Sequence, residues 1–311
     1  MSPRLKGYLA AFTAIALWAS TGLFIRYLVA DEAMPPLLLA WWRNIIISIA
    51  LGLVFWLPRE TSLPRGQGRF LTFYGLVLAL FNAVWIASVG ANGAAVATVL
   101  LYSSTAFTAL IGKWRFGESL GLAKAAAVAA SLAGCALVAG AYTPAAWHLH
   151  AAGGMLGLLS GALFAAYSLL GKAAAQRGLP PWRTLFFTFG IASVFLTLPE
   201  ALSAARTPQG VAALLPHLTA WGWGVLLFLA IGPTLLGFVF YNMALGLLPA
   251  GVVNLLATTE PVMTAAAAYI FLGERLTAPQ ILGAVLVLGG VLLVQMEKSP
   301  APSNLTASTT L

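Results

Sequence analysis

The chain reads as a series of long apolar runs separated by short polar breaks. The runs are about 20 residues long and rich in Ala and Leu, the length at which a helix crosses the hydrocarbon core of a bilayer. They place ten helices at 7–29, 35–57, 69–89, 92–112, 119–140, 152–174, 182–203, 218–243, 249–272 and 277–296. Several connections carry turn chemistry: Met34-Pro35-Pro36, Pro64-Arg65-Gly66, Gly178-Leu179-Pro180-Pro181 and Leu248-Pro249. The strands of an outer-membrane barrel would instead show alternation over about 10 residues. The pattern therefore predicts an all-α integral membrane protein with ten transmembrane helices. The first run is too long for a signal core and lacks a clear cleavage site, so it is expected to remain as a span. The segment after Lys298, SPAPSNLTASTTL, is polar and expected to be disordered.

Composition strengthens this reading. Of 311 residues, 60% are hydrophobic and 8% charged, against roughly 25% charged in a soluble domain. The net charge of +8 could suggest nucleic acid in a soluble protein. Here the basic residues sit in short loops, so no nucleic-acid partner is expected, and the bilayer is the partner. With the N-terminus in the cytoplasm, the inside segments hold Arg4, Lys6, Arg59, Arg65, Arg69, Lys113, Arg115, Lys124, Lys172, Arg177, Arg183 and Lys298. The outside loops hold only Arg206 and Arg275. Twelve against two is a strong positive-inside bias, so both termini are expected to be cytoplasmic.

The sequence contains an internal repeat. Residues 93–138 align without gaps on 249–294. The informative matches are Gly117-Glu118-x-Leu120 with Gly273-Glu274-x-Leu276, at the turn between two helices, and Gly134 with Gly290, at a close-packed point. A weaker match pairs ALWASTGLFIRY (16–27) with ALFAAYSLLGKA (162–173). The unit is five helices, and an odd number forces the second copy to enter the membrane from the opposite side. Repeats at 1–143 and 144–298, with a tail at 299–311, follow from this. Inverted repeats are a common build of secondary transporters, with the substrate site at the repeat interface near the midplane.

Ten spans as five plus five, G-E-x-L after the fourth and ninth spans, Glu260-Pro261-Val262 in the ninth and Arg43 in the second together resemble the drug/metabolite transporter superfamily, in its EamA-domain branch. The resemblance covers nearly the whole chain. It implies export of amino acids, other metabolites or drugs. The sequence looks most like bacterial inner-membrane amino-acid exporters, including those for aromatic amino acids. The first repeat departs from E-P-V: it reads Ser104-Thr105-Ala106 there, so any function of that motif would be asymmetric.

Nothing suggests catalysis. His148, His150 and His217 fall in outside loops without a metal-ligand pattern. No phosphate-cradling G-x-x-x-x-G-K-[ST] loop is present, so ATP is not the expected energy source. Cys135, the single cysteine, falls in an apolar helix and reads as packing. No cofactor and no metal are expected.

Polar groups inside the spans are the candidates, because each is costly there. Arg43 and Glu260 are the two deepest charges. Arg43 lies about 12 Å and Glu260 about 18 Å from the outer ends of their helices, at ~1.5 Å per residue. A close pair would favour a structural latch and separated groups proton coupling; direct contact with a substrate ammonium is the remaining reading. Pro261 removes a backbone donor, and Thr258 and Thr259 flank the opening. The same patch in the first repeat is Tyr102-Ser103-Ser104-Thr105. Trp18, Trp41, Tyr74, Trp85, Tyr167 and Tyr241 supply aromatic lining for a cavity, as small-molecule sites commonly have. Asn82, Asn242 and Asn254 could hydrogen-bond a zwitterion or bridge helices. The candidate substrate residues are thus Trp18, Trp41, Arg43, Tyr74, Asn82, Trp85, Tyr102, Ser103, Tyr167, Tyr241, Asn242, Thr258, Thr259 and Glu260. Arg43, Glu260, Pro261, Gly117, Glu118, Gly273 and Glu274 are candidates for structural or coupling roles.

The expected function is secondary export of amino acids or similar small metabolites by alternating access, with one chain sufficing. Multidrug or organic-cation efflux is the alternative; it wants a carboxylate in the first span, where there is none. A membrane enzyme would need paired titratable groups, and a channel would need a selectivity filter; neither is apparent.

Overall fold

A computed structural model describes residues 1–56, 66–116, 121–143, 151–272 and 277–296. Its elements are all helical: α1 Pro3–Arg26, α2 Pro36–Trp56, α3 Gly68–Leu101, α4 Ser104–Phe116, α5 Leu122–Val138, α6 Ala151–Gln176, α7 Pro181–Ala205, α8 Ala220–Leu229, α9 Gly237–Leu247, α10 Ala250–Ala257, α11 Glu260–Leu272 and α12 Ala278–Met296. Two π-helical stretches occur, Tyr27–Asp31 after α1 and Ala230–Leu236 between α8 and α9. Pro233 inside the second cannot donate a backbone hydrogen bond, which favours this local widening.

Twelve helices make ten spans: α8 and α9 form the eighth with the π stretch between them, α10 and α11 form the ninth, and α3 supplies the third and the first part of the fourth, which α4 completes. The fourth is interrupted at Tyr102–Ser103 and the ninth, formed by α10 and α11, at Thr258–Thr259. These positions correspond in the gapless repeat alignment, which pairs Tyr102 with Thr258 and Ser103 with Thr259. At each break the backbone tightens: Ser103 N donates to Leu100 O (3.1 Å), and Thr259 N donates to Leu256 O (2.9 Å). The repeat is thus visible in backbone geometry, not only in composition. Five described helical stretches are long and apolar enough to cross a membrane, Ala220–Leu247 being the longest. The broken spans and the short α5 and α12 fall below that length.

Two boundaries differ from the sequence expectation. The eighth span runs Ala220–Leu247 rather than 218–243, because the π stretch accommodates Pro233 without ending the helix. The break expected between the third and fourth spans is absent as a coil: α3 is helical through Leu101. A straight helix would separate Phe81 and Leu100 by about 28 Å at ~1.5 Å per residue. Yet Phe81 packs on Phe164, with ring centroids 5.2 Å apart, while Leu100 abuts Gly161 one turn away on α6. The axis of α3 therefore bends back between them, in the interval that holds Gly90 and Gly93.

The repeats join tightly at α5 and α12. A Cβ at Gly134 would lie 2.6 Å from the carbonyl oxygen of Gly283, and one at Gly290 would lie 2.8 Å from that of Ala127. The helices touch backbone to backbone, as small residues allow within a membrane. Gly117, Glu118, Gly273 and Glu274 lie outside the described residues, as do His148, His150 and the C-terminal tail.

The outer rim carries a second junction. Glu32 follows the π turn of the first span and reaches the start of α8. Its carboxylate accepts from Thr219 N (2.9 Å), from the Thr219 hydroxyl and from the Tyr27 hydroxyl (2.7 Å). Thr219 caps α8 in turn, accepting from Gly222 N. The hydroxyl and amide of Thr219, then Tyr27, hold the Glu32 carboxyl below its ordinary range. A depressed carboxyl stabilises the fold above the ordinary carboxylate range and loses that contribution as pH falls through the depressed value. Glu32→Gln is therefore expected to lower the melting temperature at neutral pH. It should also flatten the acid limb of a thermal-melt series run from neutral to low pH.

Candidate functional site

One cavity, partly open to solvent, lies where spans of both repeats meet. Its aromatic walls are Trp18, Phe81, Trp85, Phe164 and Phe238, with Ile25, Leu101 and Ala257 between them. Its polar groups are Thr21, Arg43, Asn82, Tyr102, Thr234 and Glu260. The two helix breaks enter it side by side: Leu101 and Tyr102 from one repeat, Ala257 and Glu260 from the other.

Packing fixes the aromatic walls. The Trp18 indole lies across Gly237, where any side chain would collide with it. It also meets Tyr241 and Phe238, with centroids 5.0 and 5.2 Å away. Phe81 and Phe164 extend this surface. Edge-on and tilted contacts of this kind keep the rings rigid.

The charged groups are arranged differently. Tyr102 donates its hydroxyl to Glu260 Oε2 at 2.8 Å, tying one helix break to the other. Among the described residues no ion pair joins Arg43 to Glu260, and Arg43 makes no hydrogen bond. The possible Arg43–Glu260 latch is thus not formed, and the carboxylate's partner is the tyrosine. A guanidinium and a carboxyl group line the same cavity without pairing with each other.

Six candidates from the sequence line the cavity: Trp18, Arg43, Asn82, Trp85, Tyr102 and Glu260. Others lie elsewhere. Tyr74 donates to Asn242 Oδ1 (3.1 Å), and Asn242 donates to Tyr167 Oη (3.0 Å). Tyr241 lies 2.6 Å from Ser168 Oγ and donates to Asn254 Oδ1 (2.9 Å); Asn254 donates to Thr108 Oγ1 (2.7 Å). These groups form a buried layer beside the cavity, toward the end of α3 and α6 that carries Arg69, Lys172 and Arg177. Trp41 donates to Thr197 Oγ1 (3.0 Å). Ser103, Thr258 and Thr259 donate to carbonyls three residues back, at Leu100, Leu255 and Leu256. Their hydroxyls satisfy their own helices rather than facing the cavity. Pro261 begins α11 beside Glu260.

Thr21, Ile25, Phe81, Leu101, Phe164, Thr234, Phe238 and Ala257 were not singled out as site residues. For Thr234 a signal existed: Gly232-Pro233-Thr234 interrupts an apolar span as Glu260-Pro261 does. Among the described residues no group of His, Cys, Asp and Glu could hold a metal ion.

The sequence pattern of the EamA-like transporter family matches residues 5–140 and again 151–296. A Salmonella typhimurium protein named "Probable amino-acid metabolite efflux pump" is 26% identical over 299 residues, covering 93% of this chain and 94% of its own. An uncharacterized transporter of Bacillus subtilis is 26% identical over 289 residues, covering 90% of each chain. One solved crystal structure superposes with a TM-score of 0.75 at 20% identity, covering 93% of this chain and 97% of the other. That likeness speaks to fold alone.

Proposed function

The chain belongs to the EamA-like transporter family, and from that premise we propose that it exports amino acids and similar zwitterions across a bacterial cytoplasmic membrane, working as a monomer. The observation that carries this reading is the separation of charge inside one aromatic cavity. Arg43 offers a planar donor fork suited to a carboxylate. Glu260, steadied by Tyr102, offers an acceptor for an ammonium group. The rings of Trp18, Phe81, Phe164 and Phe238 offer an apolar surface for the rest of the molecule. The name of the Salmonella relative agrees with this substrate class. A bare organic cation fits less well, because Arg43 stands in the same cavity and a like charge near a low-dielectric wall repels it.

Transport follows from the fold. The broken spans meet at the cavity, so bound substrate touches both repeats at the points where their helices are already interrupted. The buried layer of Tyr74, Tyr167, Asn242, Tyr241 and Asn254 closes the basic-rich side of the cavity. That layer must part when substrate loads from the cytoplasm.

Counterflow in proteoliposomes tests the reading. With a panel of labelled amino acids and one organic cation, amino acids are expected to exchange and the cation to be excluded. Exchange of the cation with no amino acid moving would overturn the assignment.

A further inference from the structure

The charged ends of the cavity account for a zwitterion's backbone but leave three neutral groups unused. Asn82 is 4% exposed, lines the cavity, and its side chain makes no hydrogen bond among the described residues. Thr234 is 3% exposed, sits on the π-helical turn beside Pro233, and its hydroxyl is buried without a partner. Trp85, on the same helix as Asn82 and one turn away, has its indole N–H buried without a partner. Buried polar atoms normally find partners, and an exception calls for a reason. The neighbouring layer makes the contrast clear: there Asn242 is engaged by Tyr74 and Tyr167, and Asn254 by Tyr241 and Thr108.

We infer that Asn82, Trp85 and Thr234 form a specificity subsite selecting substrates whose side chain carries a neutral hydrogen-bonding group, such as a phenol, indole or amide. The inference rests on the reading of this cavity as the amino-acid site. None of the three groups is charged, so they cannot recognise the carboxylate or ammonium as strongly as Arg43 and Glu260 do. Between them they offer donors and acceptors, so an O–H or N–H on the substrate's side chain finds a complement. A hydrocarbon side chain of the same shape leaves these groups desolvated and unpaired, and a site built to hydrogen-bond discriminates against such an analogue. The aromatic walls set the size and flatness of the side chain, and the three neutral groups set its polarity.

The isosteric pair L-tyrosine and L-phenylalanine tests this in competition against a labelled amino acid that exchanges in proteoliposomes. L-tyrosine is expected to compete about tenfold better, the worth of one buried hydrogen bond. In the double variant Asn82→Leu/Thr234→Val the two should compete equally. Equal competition in the wild type, or a preference that survives the double variant, overturns the subsite while exchange itself upholds the transport reading. Failure of every amino acid to exchange overturns both.

Discussion

Replacing Arg43 with glutamine should reduce amino-acid counterflow by about thirty- to a hundredfold, the equivalent of ~2–3 kcal/mol for one charge-assisted contact. The variant should still fold, because Arg43 makes no hydrogen bond or ion pair among the described residues and its loss leaves no partner unpaired. A structural latch predicts the opposite pattern, with a fall in melting temperature and substrate affinity largely kept. Measuring both the counterflow Km and the melting temperature separates the two roles. Arg43→Lys should recover only part of the loss, since an ammonium cannot present the same paired donors.

The second large effect concerns the seam between α5 and α12. Gly134→Leu or Gly290→Leu should prevent a stable fold, and the Ala variants should each cost about 1–3 kcal/mol through overpacking. A Cβ at Gly134 meets the Gly283 carbonyl oxygen at 2.6 Å and the backbone nitrogen of Val287 at 2.9 Å. Neither can move without displacing a helix. Gly289, the immediate neighbour of Gly290, has open space around its Cβ position. Gly289→Ala should therefore be neutral or slightly stabilising, since alanine is the better helix former by up to ~1 kcal/mol. Thermal melts of the purified variants in detergent check the contrast between these adjacent positions. Equal losses at 289 and 290 would mean that the seam does not hold the repeats together.

Much of this architecture is legible in the sequence because membranes restrict it so strongly. Hydropathy alone gives the spans, and the offset between 93–138 and 249–294 pairs the two polar patches, though not the helix breaks that the structure shows there. Glu260 stands out because an apolar run offers it no water. What stays hidden is direction. In spans apolar on all sides, periodicity cannot say which face of a helix meets the cavity. Asn82 and Asn242 therefore look alike in the sequence, yet one lines the cavity and the other is locked by Tyr74 and Tyr167. The depths of Arg43 and Glu260 were close enough to suggest a pair. The Tyr102 hydroxyl takes that place because the two breaks bring α3 and α11 together. Thr258 and Thr259 looked available, but short hydroxyl side chains in a helix return readily to their own backbone. The sequence predicts the reversal between the third and fourth spans, but not that it stays helical through Leu101, because a glycine-rich bend can keep its backbone hydrogen bonds.

The central claim is that one cavity recognises both ends of a zwitterion. The most direct measurement is competition against counterflow of one transported amino acid by three forms of it: the free amino acid, its methyl ester and its N-acetyl derivative. The ester lacks the anion that Arg43 would hold, and the acetyl form lacks the cation that Glu260 would hold. The account predicts that the free form competes and that both derivatives are weaker by at least about tenfold, each lacking one charged contact. Competition by the ester equal to that of the free amino acid would contradict it.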